Sequence, residues 1–257
     1  MCYNSIRGLY KKGYLLMHRF FVSPDNINDN SITITGEDII HLSKVLRLRE
    51  GDSLIICDGN GTDYECQIDS ISKTEAIATI INSVPNCAEP PINITIYQGL
   101  PKSDKMDYIV QKCVELGVNK IVPVVTKRAV AIPRDGDKKI IRWQKIASEA
   151  AKQCGRGILP EVGKIVNFDQ VINHIKDQDA INIIPYENEK SFKLKDSLKP
   201  CKNINILIGP EGGFDIEEIE LAMSNGISSV TLGPRILRTE TAPLAVVSAI
   251  MFAVGDW

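Results

Sequence analysis

Two rhythms of apolar and polar positions divide the chain. Between residues 17 and 84 the apolar residues come in short alternating runs, which predict strands at Arg19–Val22, Ser31–Thr35, Ser53–Cys57, Asp63–Ile71 and Glu75–Ile81. Asp58-Gly59-Asn60-Gly61 marks a turn among them. One helix, about Asp38–Leu46, sets Ile39, Leu42, Val45 and Leu46 on an apolar face. Several short strands with one helix imply a small β-barrel. Residues 85–91 carry three prolines and read as a stiff linker. From residue 92 to 257 strand and helix alternate. Strands are predicted at Ile92–Gln98, Lys120–Val125, Val162–Val166 and Ala180–Pro185, and helices from Ser103 to Gly117, at Asp137–Gln153 and near Phe168–Ile175. Such alternation predicts an α/β domain, a mostly parallel sheet covered on both faces.

The last quarter of the chain carries two glycine-turned loops set one βα unit apart. Ile204–Ile208 is a short β-branched run that breaks into Gly209-Pro210-Glu211-Gly212-Gly213-Phe214. Glycines there let a backbone come close to something. Asp215 and Glu218 form the signature of a capping box, so a helix starts at that point and Gly226 ends it. Val230–Leu232 returns to the sheet, and Gly233-Pro234-Arg235-Ile236-Leu237-Arg238-Thr239-Glu240-Thr241-Ala242 leads into a final apolar helix through Met251. Pro243 falls in the first turn of that helix, where proline is tolerated. Two loops at the carboxyl ends of neighbouring strands outline a crevice of the kind in which open α/β sheets hold ligands. Neither loop is a GxGxxG or a Walker A sequence, so dinucleotide and triphosphate readings lack a motif. A plain turn needs none of the second loop's two arginines, two threonines and one glutamate.

Composition narrows the class only slightly. An apolar fraction of 44% and a charged fraction of 24% over 257 residues suit a soluble globular protein. The longest apolar run, Ala242–Val254, is too short to span a membrane. Seven cysteines, an odd number without a CxxC pair, point to a reducing cytoplasm rather than a disulfide framework or a zinc site. His18, His41 and His174 are scattered, which argues against a metal site. The net charge of −2 hides an asymmetry: residues 100–156 hold 13 Lys and Arg against 6 Asp and Glu, while residues 1–88 hold 8 against 11. The basic stretch is either a face that tracks phosphates or the solvated surface of a lysine-rich helix.

Leu207–Phe214 together with Leu232–Ala242 resembles the signature of the SPOUT methyltransferases, and within them the bacterial 16S rRNA (uracil-1498-N3)-methyltransferase family. The likeness runs from Met17 to the C-terminus and includes Gln98-Gly99-Leu100-Pro101-Lys102, Lys105-Met106-Asp107, Glu115-Leu116-Gly117-Val118 and Glu149–Arg156. Cys154 stands where serine is usual, Pro243 where alanine is, and Ile40 where a second histidine is common. Residues 1–16 precede the usual family start; His18 and Arg19 make this extension a poor signal peptide. The resemblance implies a SPOUT-type parallel sheet with a C-terminal trefoil knot, preceded by a PUA-like RNA-binding barrel at residues 17–84. It also implies a homodimer with S-adenosylmethionine as cofactor and 16S rRNA, or the 30S subunit, as substrate.

On that reading Pro185, Leu207, Gly209, Glu211, Gly212, Gly213, Leu232, Gly233, Ile236, Leu237, Thr239 and Thr241 form the cofactor site. Uracil N3 carries a proton, and its removal spreads charge onto O2 and O4, so methylation calls for a proton acceptor and a cation. Arg238 and Arg235 are candidates for the cation and Glu240 for the acceptor; Arg235 as a phosphate ligand and Glu240 as a helix-cap acid are the plainer alternatives. In-line methyl transfer needs mainly positioning, without a metal. His41, Arg47, Lys102, Lys105, Arg142 and Arg156 are the candidate RNA contacts. A non-catalytic RNA-binding or assembly protein on the same fold, or a SPOUT enzyme for another rRNA or tRNA nucleotide, are the competing functions.

Overall fold

The structure, a computed structural model, describes residues 17–129 and 135–256. The N-terminal extension expected at residues 1–16 therefore lies outside the described residues. The chain separates into two compact units. One runs to Glu89 and takes back Gly155–Leu159; the other comprises Pro90–Cys154 and the chain from Pro160 onward.

The first unit is a curled sheet of five strands, β1 (Arg19–Phe21), β2 (Ser31–Thr35), β3 (Ser53–Cys57), β4 (Thr62–Ile71) and β5 (Glu75–Pro85), in the order β1-β3-β4-β5-β2. It is a half-barrel, antiparallel except where β1 runs parallel to β3. Register shifts at Glu65/Cys66 and Ile68/Ser70 bend the long β4–β5 pair. Phe20, Ile32, Ile34, Leu54, Ile56 and Ile68 fill the concave side.

The helix expected at Asp38–Leu46 is only half regular. α1 (Glu37–Ile40) gives way to a π-turn over His41–Val45, with the Leu46 amide bonded to the His41 carbonyl at 2.9 Å. The wider turn shifts the phase of the side chains. Ile39 and Leu42 stay in the core, whereas Val45, expected on the apolar face, is 64% exposed. Arg47 then leaves the turn with φ 57°, a left-handed conformation unusual outside glycine.

Five residues, Gly155–Leu159, complete this unit. Arg156 is 2% exposed, and its Nη2 donates to Glu89 Oε2 at 2.7 Å. Glu89 Oε1 also accepts from the Gly157 and Ile158 amides at 2.9 and 3.0 Å. Asn86 is pinned by bonds from its Nδ2 to Asp63 Oδ2 (2.9 Å) and the Gly155 carbonyl (3.0 Å). The proline-rich stretch predicted as a linker is thus anchored through Glu89.

The second unit carries a parallel sheet of β6 (Asn93–Gly99), β7 (Lys120–Val125), β8 (Glu161–Val162), β9 (Val166–Asn167), β10 (Ile181–Pro185), β11 (Asn203–Ile208) and β12 (Ser228–Val230). Its order is β12-β10-β11-β6-β7-β8, with β9 also on β7. The strand expected at Val162–Val166 is in fact two two-residue strands on either side of Gly163, both paired to β7. The helices are α2 (Lys105–Glu115), α3 (Gly136–Cys154), α4 (Phe168–Ile175), α5 (Leu194–Ser197), α6 (Ile216–Ser224) and α7 (Ala242–Val254). Central strands buried on both faces explain runs such as Ile204-Asn205-Ile206-Leu207-Ile208, all at most 4% exposed. None of the helices described is long and apolar enough to cross a membrane.

Candidate active site

The carboxyl ends of β6, β10, β11 and β12 share one edge of the sheet, and the loops that leave them build a cleft. The first loop, after β11, is shaped by its glycines. Gly213 has φ 66°, and a Cβ there would sit 3.1 Å from Glu187 Oε1. A Cβ on Gly209 would lie 3.1 Å from the Gly213 backbone. Gly212 is less constrained, since its Cβ would make an ordinary 3.4 Å contact with Arg128. The loop ends where expected, in the Asp215–Glu218 capping box of α6. Glu218, 3% exposed, accepts from the Asp215 amide at 2.9 Å and from the Lys127 amide at 2.8 Å. Arg128 donates to the Gly212 carbonyl at 3.1 Å and to Asp215 Oδ2 at 3.3 Å, so the turn after β7 also grips the loop.

The second loop is fastened to the first through Thr239. Its hydroxyl donates to the Gly209 carbonyl at 2.7 Å and accepts from Gln98 Nε2 at 3.0 Å. Gln98 is fully buried and bonds the Gly99 carbonyl as well, at 3.0 Å. Gly99 itself is indispensable to this seat: a Cβ there would lie 2.6 Å from Pro210 Cδ.

Between the loops lies a cavity of about 460 Å³. Pro185, Gly209, Glu211, Gly212, Gly213, Ile236, Leu237, Arg238 and Thr239 line it, as do Lys105, Glu187, Pro210 and Phe214. Leu232, Gly233 and Arg235 line an adjoining space of about 90 Å³ that shares Pro185, Ile236 and Leu237. Three expected residues sit elsewhere. Leu207 is 1% exposed and packs into the core with Tyr97 and Phe214, because strand alternation turns it away from the cleft. Thr241 is the exposed residue before α7 and makes no side-chain cap. Glu240 faces Lys105 rather than the cavity wall.

The electrostatics centre on that lysine. Lys105 Nζ lies 3.1 Å from Glu211 Oε1 and 3.2 Å from Glu240 Oε2. Its pKa is raised by the Glu211 bond first and the Glu240 bond second. The Glu240 carboxyl is held below its ordinary range, chiefly by its own backbone amide and then by Lys105. Glu211 is also lowered: burial pushes it up, but its own amide, Lys105 and the Lys102 amide together outweigh that.

The expected RNA contacts scatter. Lys105 belongs to the cleft. Arg156 is a correction: a guanidinium that is 2% exposed and engaged with Glu89 has nothing to offer a phosphate. Arg142 is 60% exposed at its side chain and pairs with Asp107. Lys102 is exposed, its amide donating to Glu211 at 3.1 Å. In the first unit Arg47 is exposed, while His41 is partly buried edge-on against Phe20, ring centroids 6.0 Å apart. Sequence reasoning missed Gln98, Gly99, Glu187 and the cleft role of Lys105, though the first two stand in the Gln98–Lys102 motif.

The chain matches two family models, an RNA methyltransferase domain over residues 88–251 and an RNA methyltransferase PUA domain over residues 34–81. It is 36% identical over 247 residues to the ribosomal RNA small subunit methyltransferase E of Bacillus subtilis, covering 92% of this chain and 96% of that one. The Aquifex aeolicus protein of the same name is 31% identical, covering 91% and 99%. Among solved structures, ribosomal RNA small subunit methyltransferase E from Neisseria gonorrhoeae bound to S-adenosyl methionine superposes with a TM-score of 0.85 at 34% identity, over 92% of this chain and 98% of that one. Likeness of this extent carries one conclusion: the chain belongs to the ribosomal RNA small subunit methyltransferase E family.

Proposed function

We propose that this protein methylates N3 of uracil-1498 in 16S rRNA, using S-adenosylmethionine. The observation that carries the reading is the cleft itself, glycine backbone on one side and Arg238 on the other, at a volume suited to a ligand of that size. Its residues fit the cofactor. Gly209 and Gly213 allow close backbone approach, Ile236, Leu237 and Pro185 give apolar walls, and Glu187 and Glu211 suit a cationic ligand. When bound, S-adenosylmethionine supplies the methyl group.

Arg238 stands at the cavity wall as the cation for charge developing on the uracil oxygens. Glu240 is a weak base, since its own amide and then Lys105 hold its carboxyl low. Its role is therefore to anchor Lys105, and solvent water takes the N3 proton as the new N–C bond forms. Arg235, beside the smaller cavity, is placed for a phosphate rather than for the base. Lys102, Arg142, Arg47 and His41 remain the RNA contacts of the proposal. The trefoil knot, the homodimer and a cytoplasmic location belong to the same reading.

The test is to incubate the protein with labelled cofactor and unmethylated 30S particles, alongside free 16S rRNA, and to map the modified nucleotide. Label at N3 of one uridine is the expected result. Cofactor binding without transfer would make it an assembly or binding protein, and label elsewhere would change the substrate.

A further inference from the structure

The cleft holds a lysine although its proposed ligand is cationic overall. Resting on the cofactor proposed above, the ligand carries a sulfonium, an ammonium and a carboxylate and is cationic overall, so an additional cation at the mouth opposes binding by simple Coulomb repulsion. Lys105 nevertheless lies there, 3.1 Å from Glu211 of the first loop and 3.2 Å from Glu240 of the second. It sits at the start of α2, three residues from Lys102, whose backbone amide donates to both oxygens of the same Glu211 at 3.1 and 3.3 Å. Glu211 is thus held twice from the segment after β6, and Glu240 is held to the same ammonium.

We propose that Lys105 is a positioning residue that keeps the two cofactor loops in register by bridging Glu211 and Glu240. Thr239 already ties the loops at the cleft floor through the Gly209 carbonyl. Lys105 ties them at the mouth, where both side chains of each ion pair are between a fifth and a third exposed. Without it two carboxylates that now share one cation repel each other, and the loops that carry them part.

Two expectations of opposite sign follow, which makes the idea testable. The group Lys105, Glu211 and Glu240 sums to one negative charge, and removing the lysine leaves two. If Lys105 acted only through charge, Lys105→Met would bind the cationic cofactor more tightly. If it positions the loops, the same variant binds more weakly.

Calorimetric titration of S-adenosylmethionine into the full-length protein should show Lys105→Met weakened by about five- to tenfold, the scale of two partly exposed ion pairs lost together. Lys105→Arg should retain most of the affinity. Lys105→Met combined with Glu240→Gln should recover much of the loss, because the repulsion is gone. Hydrogen exchange, read without any ligand, should quicken in both loops of Lys105→Met. Unchanged or tighter binding, no recovery in the double variant, or unchanged exchange in either loop would each overturn the assignment. Wild-type protein that exchanges as expected yet binds no S-adenosylmethionine would instead remove the cofactor reading and leave the loop bridge standing.

Discussion

The basic stretch at residues 100–156 and the two loops at 209–242 are both rich in charged and polar side chains, yet they use them in opposite ways. In the basic stretch the cations are largely neutralised where they stand: Lys112 by Glu115, Lys120 by Glu161, Lys127 by Glu217, Arg128 by Asp215, Arg142 by Asp107, Lys152 by Glu149 and Arg156 by Glu89. Several of those acids lie far away in sequence, so a local count of +7 overstates the field that a phosphate would meet. In the loops, polar groups fix the backbone and leave Arg238 and the glycines lining a cavity. Charge along a chain and charge on a surface are different quantities, and only the second recruits a partner.

The largest effect that would break this contrast concerns Arg156. If its charge serves folding, Arg156→Ala should lower unfolding free energy in urea by about 3–5 kcal/mol, the cost of orphaning one partner of a buried pair. RNA affinity measured well below the transition should hold. Weakened RNA binding with normal stability would reverse the assignment. Next comes Arg238→Ala, expected to slow single-turnover methylation by roughly 10²–10³ with little change in cofactor or RNA dissociation constants. Lysine should restore little, because a point charge replaces a planar fork. A variant that keeps its saturated rate but loses RNA affinity would make Arg238 a phosphate anchor.

A smaller effect separates the glycines. Gly213→Ala forces a side chain into left-handed backbone, a strain of about 1–2 kcal/mol, and should weaken cofactor binding roughly tenfold. Gly212→Ala meets only ordinary contacts and should change affinity far less; equal losses in calorimetry would show that the loop tolerates neither. Smallest is Lys102→Ala. Its side chain makes no ion pair among the described residues, so it is a cation free to meet phosphate. Its loss should flatten the log–log salt dependence of RNA binding by about one unit. A slope that does not move would leave the stretch without a phosphate contact at that position.

What the sequence makes legible follows from the range of the forces involved. Asp215 and Glu218 are three residues apart, so their capping box is written locally and the helix begins where the pattern puts it. The alternation of β10, β11 and β12 with helices likewise announces the parallel sheet and the edge at which the cleft forms. The π-turn at His41–Val45 is invisible because its residues fit a regular helix equally well, and the wider turn shows only in which side chains it buries, Ile39 and Leu42 but not Val45. Leu207 looks like a cleft residue because it precedes the glycines, but the phase of the strand decides its direction. The pairing of Arg156 with Glu89 spans 67 residues and leaves no periodic trace. Lys105 stands among the candidate RNA contacts in sequence for the same reason: its two acids lie more than 100 residues downstream.

The return of Gly155–Leu159 to the first unit has a practical side. A gene cut after Glu89 would deliver a half-barrel lacking five of its own residues, among them the guanidinium that Glu89 was holding and the carbonyl to which Cys57 Sγ donates at 3.0 Å. The remaining fragment would carry Arg156 with its carboxylate gone. Anyone wishing to graft this half-barrel onto another protein must transplant two pieces of chain, and a recombination event that shuffles it as a single cassette would pass on an unfinished module.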